Sequence, residues 1–341
     1  ELEESGCEFT TSITAFAEEL ITKSEKVEEA SHGEGFWTDH FSYNLDLLES
    51  FECIYPEKIH DLLFNNKEFG FFDNEYVVQD RKSRCVIQNN KVRQLGSVKS
   101  DPEKKALIRS RPVHKNCVRK DFGKGDIFCT TLATKLLCLA VNKAASFDAE
   151  GIGIEMEADK PDWYDALNGL PALFGSSISE TLELKRLCKY LVDRLKAEIK
   201  LLIPVEIKEF MDNLSACLEE KDDHKYWDES NTLKETYRSI TKLGISGSEV
   251  EINRDYVSNF SSKIIKKCDS GIKKCLENYK NYYTYFINEA SDYDIIDEKV
   301  IVKKFTQKPM PLFLEGFVHA LKVEKDKDIY KLCLLYTSPS P

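Results

Sequence analysis

Residues 126–145 read DIFCTTLATKLLCLAVNKAA. Apolar side chains recur so densely between Phe128 and Val141 that we predict a buried helix here. A buried helix needs other elements packed around it, so the patterns on either side of this run determine the fold class.

Helical patterns recur along most of the rest of the chain. Apolar residues repeat at helical spacing, with breaks at Pro56 and near Pro204, in residues 9–26, 41–65, 178–218, 232–243, 254–290 and 301–322. No alternation of strands with helices is visible, so we predict a mainly α protein. Helices joined by loops rich in aromatic and acidic residues favour an α/α toroid whose site lies at one rim.

One stretch of the chain, residues 69–112, departs from this helical pattern. β-type residues such as Tyr76, Val77 and Val86 alternate there with polar turns. We predict an irregular excursion with short strands within a single domain that spans residues 1–333. Residues 334–341 carry no helical or strand pattern, and we expect them to be a non-native tail on a fragment of a longer protein.

Composition excludes several classes of function. The net charge of -11 argues against nucleic acid as the main partner. No apolar run reaches the roughly 18 residues of a membrane span, so no membrane partner is expected. The 11 cysteines are odd in number and form no C-x-x-C pair. Reduced thiols in a cytoplasmic protein fit this pattern better than disulfides or a metal site.

The richest chemical motif is KPDWYDALNGL, residues 160–170. An indole, a phenol, two carboxylates and a carboxamide lie within this run, and a sugar pocket needs flat apolar faces together with hydrogen-bonding groups. Asp165 has aromatic and apolar neighbours, which raise a carboxyl pKa and suit it to protonate a glycosidic oxygen. The same run also fits a helix N-terminus that begins at Pro161 with an aspartate cap, and the spacing leaves both interpretations open.

Residues 162–168 resemble a motif of the inverting glycoside phosphorylases typified by cellobiose phosphorylase. That family carries its catalytic acid in G-D-W-N-D-[GA]-[ML]-N, and this chain differs in having Tyr164 where the family has Asn. The resemblance implies that Asp165 is the general acid and that Trp163 lines the donor-sugar subsite. It also places Tyr164 and Asn168 among the substrate-binding residues. Relatives that act on β-1,3-oligoglucans are similar to the same degree.

Two weaker motifs flank this one in the family's order. Residues 36–48, FWTDHFSYNLDLL, followed by IYPE at 54–57, resemble the family's F-R-D-x-x-Q-D-L-L and I-P-E segments. Asp39 is the nearest carboxylate to the family's R-D pair and is out of register with it. Residues 314–318, LEGFV, resemble K-E-P-Y-V, whose Glu contacts sugar, which implies the same role for Glu315. The resemblance covers residues 7–325 and implies a partial (α/α)6-barrel catalytic domain.

The resemblance also implies a reaction. Asp165 protonates the departing oxygen of a β-glucoside while inorganic phosphate attacks C1 from the opposite face, which gives α-glucose 1-phosphate. Phosphate replaces the activated water of a hydrolase, so neither a second catalytic carboxylate nor a cofactor is needed. The partners are then an oligosaccharide and phosphate, and the full-length protein is a candidate homodimer. Much of the family's phosphate site follows the Glu motif, so this fragment is expected to be inactive alone.

Several alternatives stay open at this point. An inverting hydrolase would need a second carboxylate, which Asp39 or Glu315 could supply, and a non-catalytic carbohydrate-binding or helical scaffold remnant would retain the motif without turnover. A metal site at His32, Asp39 and His40 is less favoured than a capped helix start at Thr38. The basic patch around His114 fits a solvated loop better than a phosphate site.

Overall fold

The computed structural model describes residues 12–23, 40–156, 169–196, 198–325 and 327–331. About half of these residues are helical, and most strands are short, so the mainly α prediction is confirmed. The α-helices are α1 (Ile13–Lys23), α2 (His40–Ile54), α3 (Arg81–Arg84), α4 (Pro102–Ser110), α5 (Leu132–Ala144), α6 (Ile178–Arg194), α7 (Val205–Cys217), α8 (Asp223–Ile240), α9 (Arg254–Tyr279) and α10 (Leu314–Glu324).

The strands form small antiparallel sheets. One sheet has four strands in the order β12-β11-β8-β7, and the other sheets pair β1 with β6, β2 with β5, β3 with β4 and β9 with β10. The strands are β1 (Phe69–Gly70), β2 (Tyr76–Val78), β3 (Cys85–Gln88), β4 (Lys91–Gln94), β5 (Val98–Ser100), β6 (Cys129–Thr130), β7 (Ile154–Glu155), β8 (Ser176–Ser177), β9 (Lys200–Pro204), β10 (Glu249–Asn253), β11 (Tyr285–Ile296) and β12 (Lys299–Pro309).

Side-chain caps fix where several helices begin. The Asp101 carboxylate accepts a hydrogen bond from the Lys104 amide, and Pro102 occupies the first turn of α4. Thr131 caps α5 in the same way, and Asp222 and Asn253 cap α8 and α9. Each cap satisfies an amide that the helix itself leaves unpaired, so these starts are encoded locally.

The main core surrounds α5, the helix predicted from residues 126–145. Leu137 and Val141 of α5 are fully buried against apolar residues of α6, α7 and α9. The longest helix, α9, packs along α6 and contributes Ile264 and Cys268 to this core, both at 0% exposure. The nine cysteines in the described ranges are free thiols. No helix in those ranges combines the length and apolar character of a membrane span.

The predicted helices at 254–290 and 301–322 are wrong in part, because a long β-hairpin lies between them. Helix α9 ends at Tyr279, where Lys280 takes a left-handed conformation with φ 64°. Strands β11 and β12 then pair through a turn at Asp297 and Glu298, both with positive φ. This two-residue turn geometry matches the twist of paired strands. Neither position carries the glycine that usually signals it, so the tyrosine-rich start of β11 resembled a continuing helix.

Residues 69–112 hold β1 to β5 with the short helices α3 and α4. Arg81 ties this stretch to α8, because its Nε lies 3.1 Å from Glu235 Oε1 and its Nη1 lies 2.7 Å from Asp228 Oδ1. Within the stretch, Asp73 is buried between Lys104 and Arg111, at 2.9 Å from each. The Arg81 ion pairs join the stretch to α8, and buried Cys85 and Val92 also pack in an apolar cluster with Trp227 of that helix.

Candidate functional site around helix α10

Most of the sequence-predicted site residues lie outside the described part of the chain. These residues are Asp39, Trp163, Tyr164, Asp165 and Asn168, together with the alternative metal-site residue His32. Glu315 is the predicted site residue that the structure places. The residues that flank the two undescribed motifs are placed too, and they show where each motif joins the fold.

Both ends of the Trp163 motif segment join the four-stranded sheet. Met156, the last residue before the segment, donates its amide to the Gly175 carbonyl at 2.8 Å, and the Gly175 amide donates to the Leu170 carbonyl at 3.0 Å. The side chains of Met156 and Leu170 are buried together against Tyr285 of β11. Met156 and Leu170, which flank the segment in sequence, therefore lie in one small apolar cluster.

Tyr285 connects this cluster to Glu315. Its hydroxyl donates to Glu315 Oε2 at 2.8 Å, and its ring packs edge-on against Phe313 with centroids 5.6 Å apart. Glu315 lies in the first turn of α10, where the helix dipole favours a carboxylate. Its side chain is 43% exposed, so one face of the carboxylate is held by protein while the other is open to a ligand.

One face of α10 presents Glu315, His319 and Lys322, which follow at helical spacing. His319 Nδ1 lies 2.6 Å from Glu183 Oε1 of α6, and His319 Nε2 lies 4.0 Å from Glu315 Oε1. Lys322 Nζ lies 3.0 Å from Asp46 Oδ2 of α2. This pairing is not predictable from the sequence, because Glu183 is remote in sequence and lies in an ordinary helical pattern.

Arg186 extends the network from α6 to the start of α2. Its Nε lies 3.0 Å from Glu183 Oε2, and its Nη2 donates to Asp46 Oδ1 at 2.6 Å and to the Ser42 carbonyl at 3.4 Å. Partial burial opposes ionisation of Asp46, but hydrogen bonds from Arg186 and Lys322 hold the pKa of this carboxyl below its usual value. Asp46, Glu183, Arg186, Glu315, His319 and Lys322 are called the α10 cluster below.

The α10 cluster lies close to where another predicted motif joins the fold. Helix α2 begins at His40, directly after Asp39, and Ser42 in its first turn contacts Arg186. Three sets of residues that are far apart in sequence, 40–46, Met156 with Leu170, and 310–322, therefore converge through Arg186, Tyr285 and Glu315. Their convergence depends on tertiary packing.

A fully buried carboxylate, Asp148, supports the sheet beneath this region. It accepts hydrogen bonds from the amides of Glu150, Ile152 and Gly153 at 3.2, 2.9 and 2.9 Å. The Ser176 hydroxyl and the Gln307 amide add two more at 2.6 and 2.9 Å. Burial raises the pKa of Asp148, and these hydrogen bonds oppose that shift. The carboxylate locks residues 148–153 to β8 and β12, which is a structural role.

The turn that Asp148 closes requires glycine. Gly151 has φ +66°, and a Cβ at this position would lie 2.3 Å from Asp223 Oδ1. Lys267 and Lys274 of α9 pair with Asp223, which keeps this carboxylate in place. A side chain at Gly151 would therefore disturb both the turn and an ion pair.

A second buried carboxylate, Glu155, lies on β7 just before the motif segment. It accepts a hydrogen bond from Trp227 Nε1 at 2.8 Å. Burial raises the pKa of Glu155 to about 7, although the positive charges of Lys234 and Arg84 oppose the shift. Lys234 is itself buried and donates to Ser146 Oγ at 2.9 Å. Sequence reasoning missed Glu155, because no motif marks it.

The basic patch predicted around His114 is largely engaged within the protein. Arg111 Nη1 binds Asp73 and also donates to the carbonyls of Lys115 and Cys117 at 2.6 and 3.0 Å. Arg119 donates to the carbonyls of Gly125 and Val113. These arginines stabilise an irregular loop, and Arg111 is buried in it rather than solvated as the sequence predicted.

In the described ranges, no group of three or more His, Cys, Asp or Glu side chains has the proximity of a metal site. The α10 cluster can hydrogen-bond a polar ligand through the half-exposed carboxylate of Glu315, which its protein partners hold in place.

No known protein-family model matches this chain, and no curated protein matches it.

Proposed function

We propose that this chain carries the sugar site of an inverting glycoside phosphorylase that acts on β-glucosides or β-gluco-oligosaccharides. Asp165 is the general acid in this proposal, and Trp163, Tyr164, Asn168, Asp39 and Glu315 bind the substrate. The helices would form part of an (α/α)6 barrel. One observation carries the proposal: both ends of the Trp163 motif segment are packed against Tyr285, whose hydroxyl holds Glu315.

This observation supports the proposal because it concerns motifs that are remote in sequence. The resemblance alone predicts that Glu315 and the segment of Asp165 serve one sugar. An arrangement that anchors Met156 and Leu170 on the opposite side of the molecule from Glu315 would have removed the physical basis for that prediction. The contact of Ser42 with Arg186 adds the start of α2, next to Asp39, to the same neighbourhood.

The chemistry follows from the residue types. The Asp165 carboxyl gives its proton to the leaving glycosidic oxygen, so the alcohol departs neutral, and a phosphate oxygen forms the new bond to C1 with inversion. The Trp163 indole suits the apolar face of a pyranose ring. The Glu315 carboxylate, held at Oε2 by Tyr285, keeps lone pairs available to accept hydrogen bonds from sugar hydroxyls.

The test uses the full-length gene product with cellobiose and laminaribiose, in the presence and absence of inorganic phosphate. Phosphate-dependent formation of α-glucose 1-phosphate, followed by ³¹P NMR, is the expected result. Asp165→Asn is expected to lower turnover at least ~100-fold, the low end for general acid catalysis. β-Glucosyl fluoride has a leaving group that needs less acid assistance, so its reaction with phosphate is expected to lose less.

The matched control is Asp159→Asn, which makes the same chemical change just outside the motif. Release of free glucose without phosphate would favour the hydrolase. Sugar binding without turnover would favour a carbohydrate-binding remnant. Wild-type turnover in Asp165→Asn, or the absence of both turnover and sugar binding in the wild type, would refute the proposal.

A further inference from the structure

His319 lies between two carboxylates that belong to different helices, and the proposed reaction gives it no role. Its Nδ1 is 2.6 Å from Glu183 Oε1 and its Nε2 is 4.0 Å from Glu315 Oε1. The imidazole is 17% exposed and Glu183 is 2% exposed. The ring therefore connects a buried carboxylate with the half-exposed carboxylate of the candidate sugar site.

The Glu183 contact fixes the orientation of the ring. Glu183 is paired with Arg186 through its other oxygen, at 3.0 Å, so it acts as a hydrogen-bond acceptor toward His319. Its Nδ1 therefore carries a hydrogen that it donates to Glu183, and Nε2 can donate toward Glu315 only when it carries a hydrogen as well. A ring held at Nδ1 cannot rotate freely, and its Nε2 is directed toward Glu315.

We propose that His319 is a positioning residue that fixes the Glu315 carboxylate for binding of sugar hydroxyls. Tyr285 holds Oε2 at 2.8 Å, while the imidazole faces Oε1. Two partners on different oxygens restrict the torsions of the Glu315 side chain. A free Glu side chain loses rotamer entropy when it is ordered, so restricting it beforehand strengthens ligand binding.

The inference rests on the proposed sugar-binding role of Glu315, and it specifies how that role is achieved. The 4.0 Å separation exceeds a hydrogen bond, so the imidazole restricts where Glu315 Oε1 can lie through a close contact and not through a hydrogen bond. His319 does not touch the reacting atoms in this arrangement and acts through Glu315.

The test compares two amides at position 319 that replace different ring nitrogens. Asn places an amide near the Nδ1 position and keeps the partner of Glu183, whereas Gln reaches toward the Nε2 position and keeps the partner of Glu315. Binding of cellobiose and laminaribiose is measured by calorimetry. We expect His319→Asn to weaken binding about threefold to tenfold and His319→Gln to recover most of the loss.

A double-mutant cycle shows whether His319 acts through Glu315. Glu315→Gln alone is expected to weaken binding about tenfold, and adding His319→Asn is expected to change it no further. His60→Asn, at a half-exposed histidine elsewhere, is the control for the substitution itself. Independent, additive losses from the two sites would overturn the proposal. Loss of thermal stability in both His319 variants with unchanged sugar affinity would overturn it too.

A spectroscopic readout separates failure of this inference from failure of the proposed function. The ¹³Cδ resonance of Glu315 is recorded without ligand in the wild type, His319→Asn and Glu183→Gln. A shift of this resonance in both variants is expected if His319 orients the carboxylate. A shift together with absent sugar binding would support the positioning and refute the proposed function, whereas an unchanged resonance in both variants would refute the positioning.

Discussion

Replacement of Asp148 by Asn tests how much the turn at residues 148–153 depends on one buried carboxylate. Oδ1 of Asp148 accepts two backbone amides, and Oδ2 accepts from the Gly153 amide, the Ser176 hydroxyl and the Gln307 amide. Asn keeps one acceptor oxygen and presents an amide group in place of the other. Asp148→Asn therefore replaces only one of the two oxygens, Oδ2, which accepts from three donors.

The expected cost follows from those three donors. The Ser176 hydroxyl can rotate and accept from the new amide, so it is not lost. The Gly153 amide and one Gln307 hydrogen are left without an acceptor, and each buried unsatisfied donor costs about 1–3 kcal/mol. Removal of a carboxylate that is 0% exposed offsets part of that cost. We expect Asp148→Asn to lower the free energy of unfolding by about 2–4 kcal/mol.

Urea denaturation followed by near-ultraviolet circular dichroism measures this loss, with an unchanged slope as the sign of comparable unfolding. Asp292→Asn, at an exposed position of the β11–β12 hairpin, is the matched control and is expected to change stability by less than ~0.5 kcal/mol. A loss for Asp148→Asn as small as that of the control would refute the argument. It would mean that the five donors find other partners.

Three further predictions concern Glu155, Tyr285 and Trp163. The pKa of Glu155 is about 7 in the folded state, against an ordinary value of 4.5 for a solvated glutamate. The folded state therefore binds this proton more tightly than the unfolded state does. The free energy of unfolding consequently falls as pH rises from about 4.5 to about 7. Glu155→Gln should remove up to about 3 kcal/mol of this dependence, measured as a flatter unfolding free energy between pH 5 and pH 8, and an unchanged slope would contradict the shift. Tyr285→Phe should lower the free energy of unfolding by about 1 kcal/mol and also weaken sugar binding. The control Tyr283→Phe should leave sugar binding unchanged. Equal sugar affinities for the two variants would show that Tyr285 does not support the site. Trp163→Ala should weaken glucoside binding with a cooperative fold, and a stability loss of about 3–5 kcal/mol would instead identify the indole as core.

The sequence by itself determined the features that depend on neighbours along the chain. The apolar spacing of residues 126–145 predicted α5, which the structure contains from Leu132 to Ala144. Caps such as Asp101 and Asn253 accept hydrogen bonds from amides three residues away, so these helix starts are predictable from the local sequence. These local interactions were sufficient for the mainly α class.

The β11–β12 hairpin marks the limit of that local information. Aromatic residues at 279–286 fit a helix face as well as the start of a strand, and no glycine marks the turn at Asp297 and Glu298. The choice is made by partners that are remote in sequence, since β11 pairs with β8 through Tyr285 and Phe286. Strand pairing satisfies backbone groups across the sheet, and the residues of one strand do not specify which remote strand it pairs with.

The candidate site also has residues that the sequence predicted and contacts that only the tertiary structure decided. The resemblance in the sequence predicted Glu315, Asp165 and Trp163 as site residues. Tertiary packing alone decided that Tyr285 holds Glu315 and that His319 meets Glu183. A carboxylate gains a fixed orientation only from groups within a few ångströms of it, and here those groups come from a different strand and a different helix. Packing of α6 and α10 brings them together, which spacing along the chain does not specify.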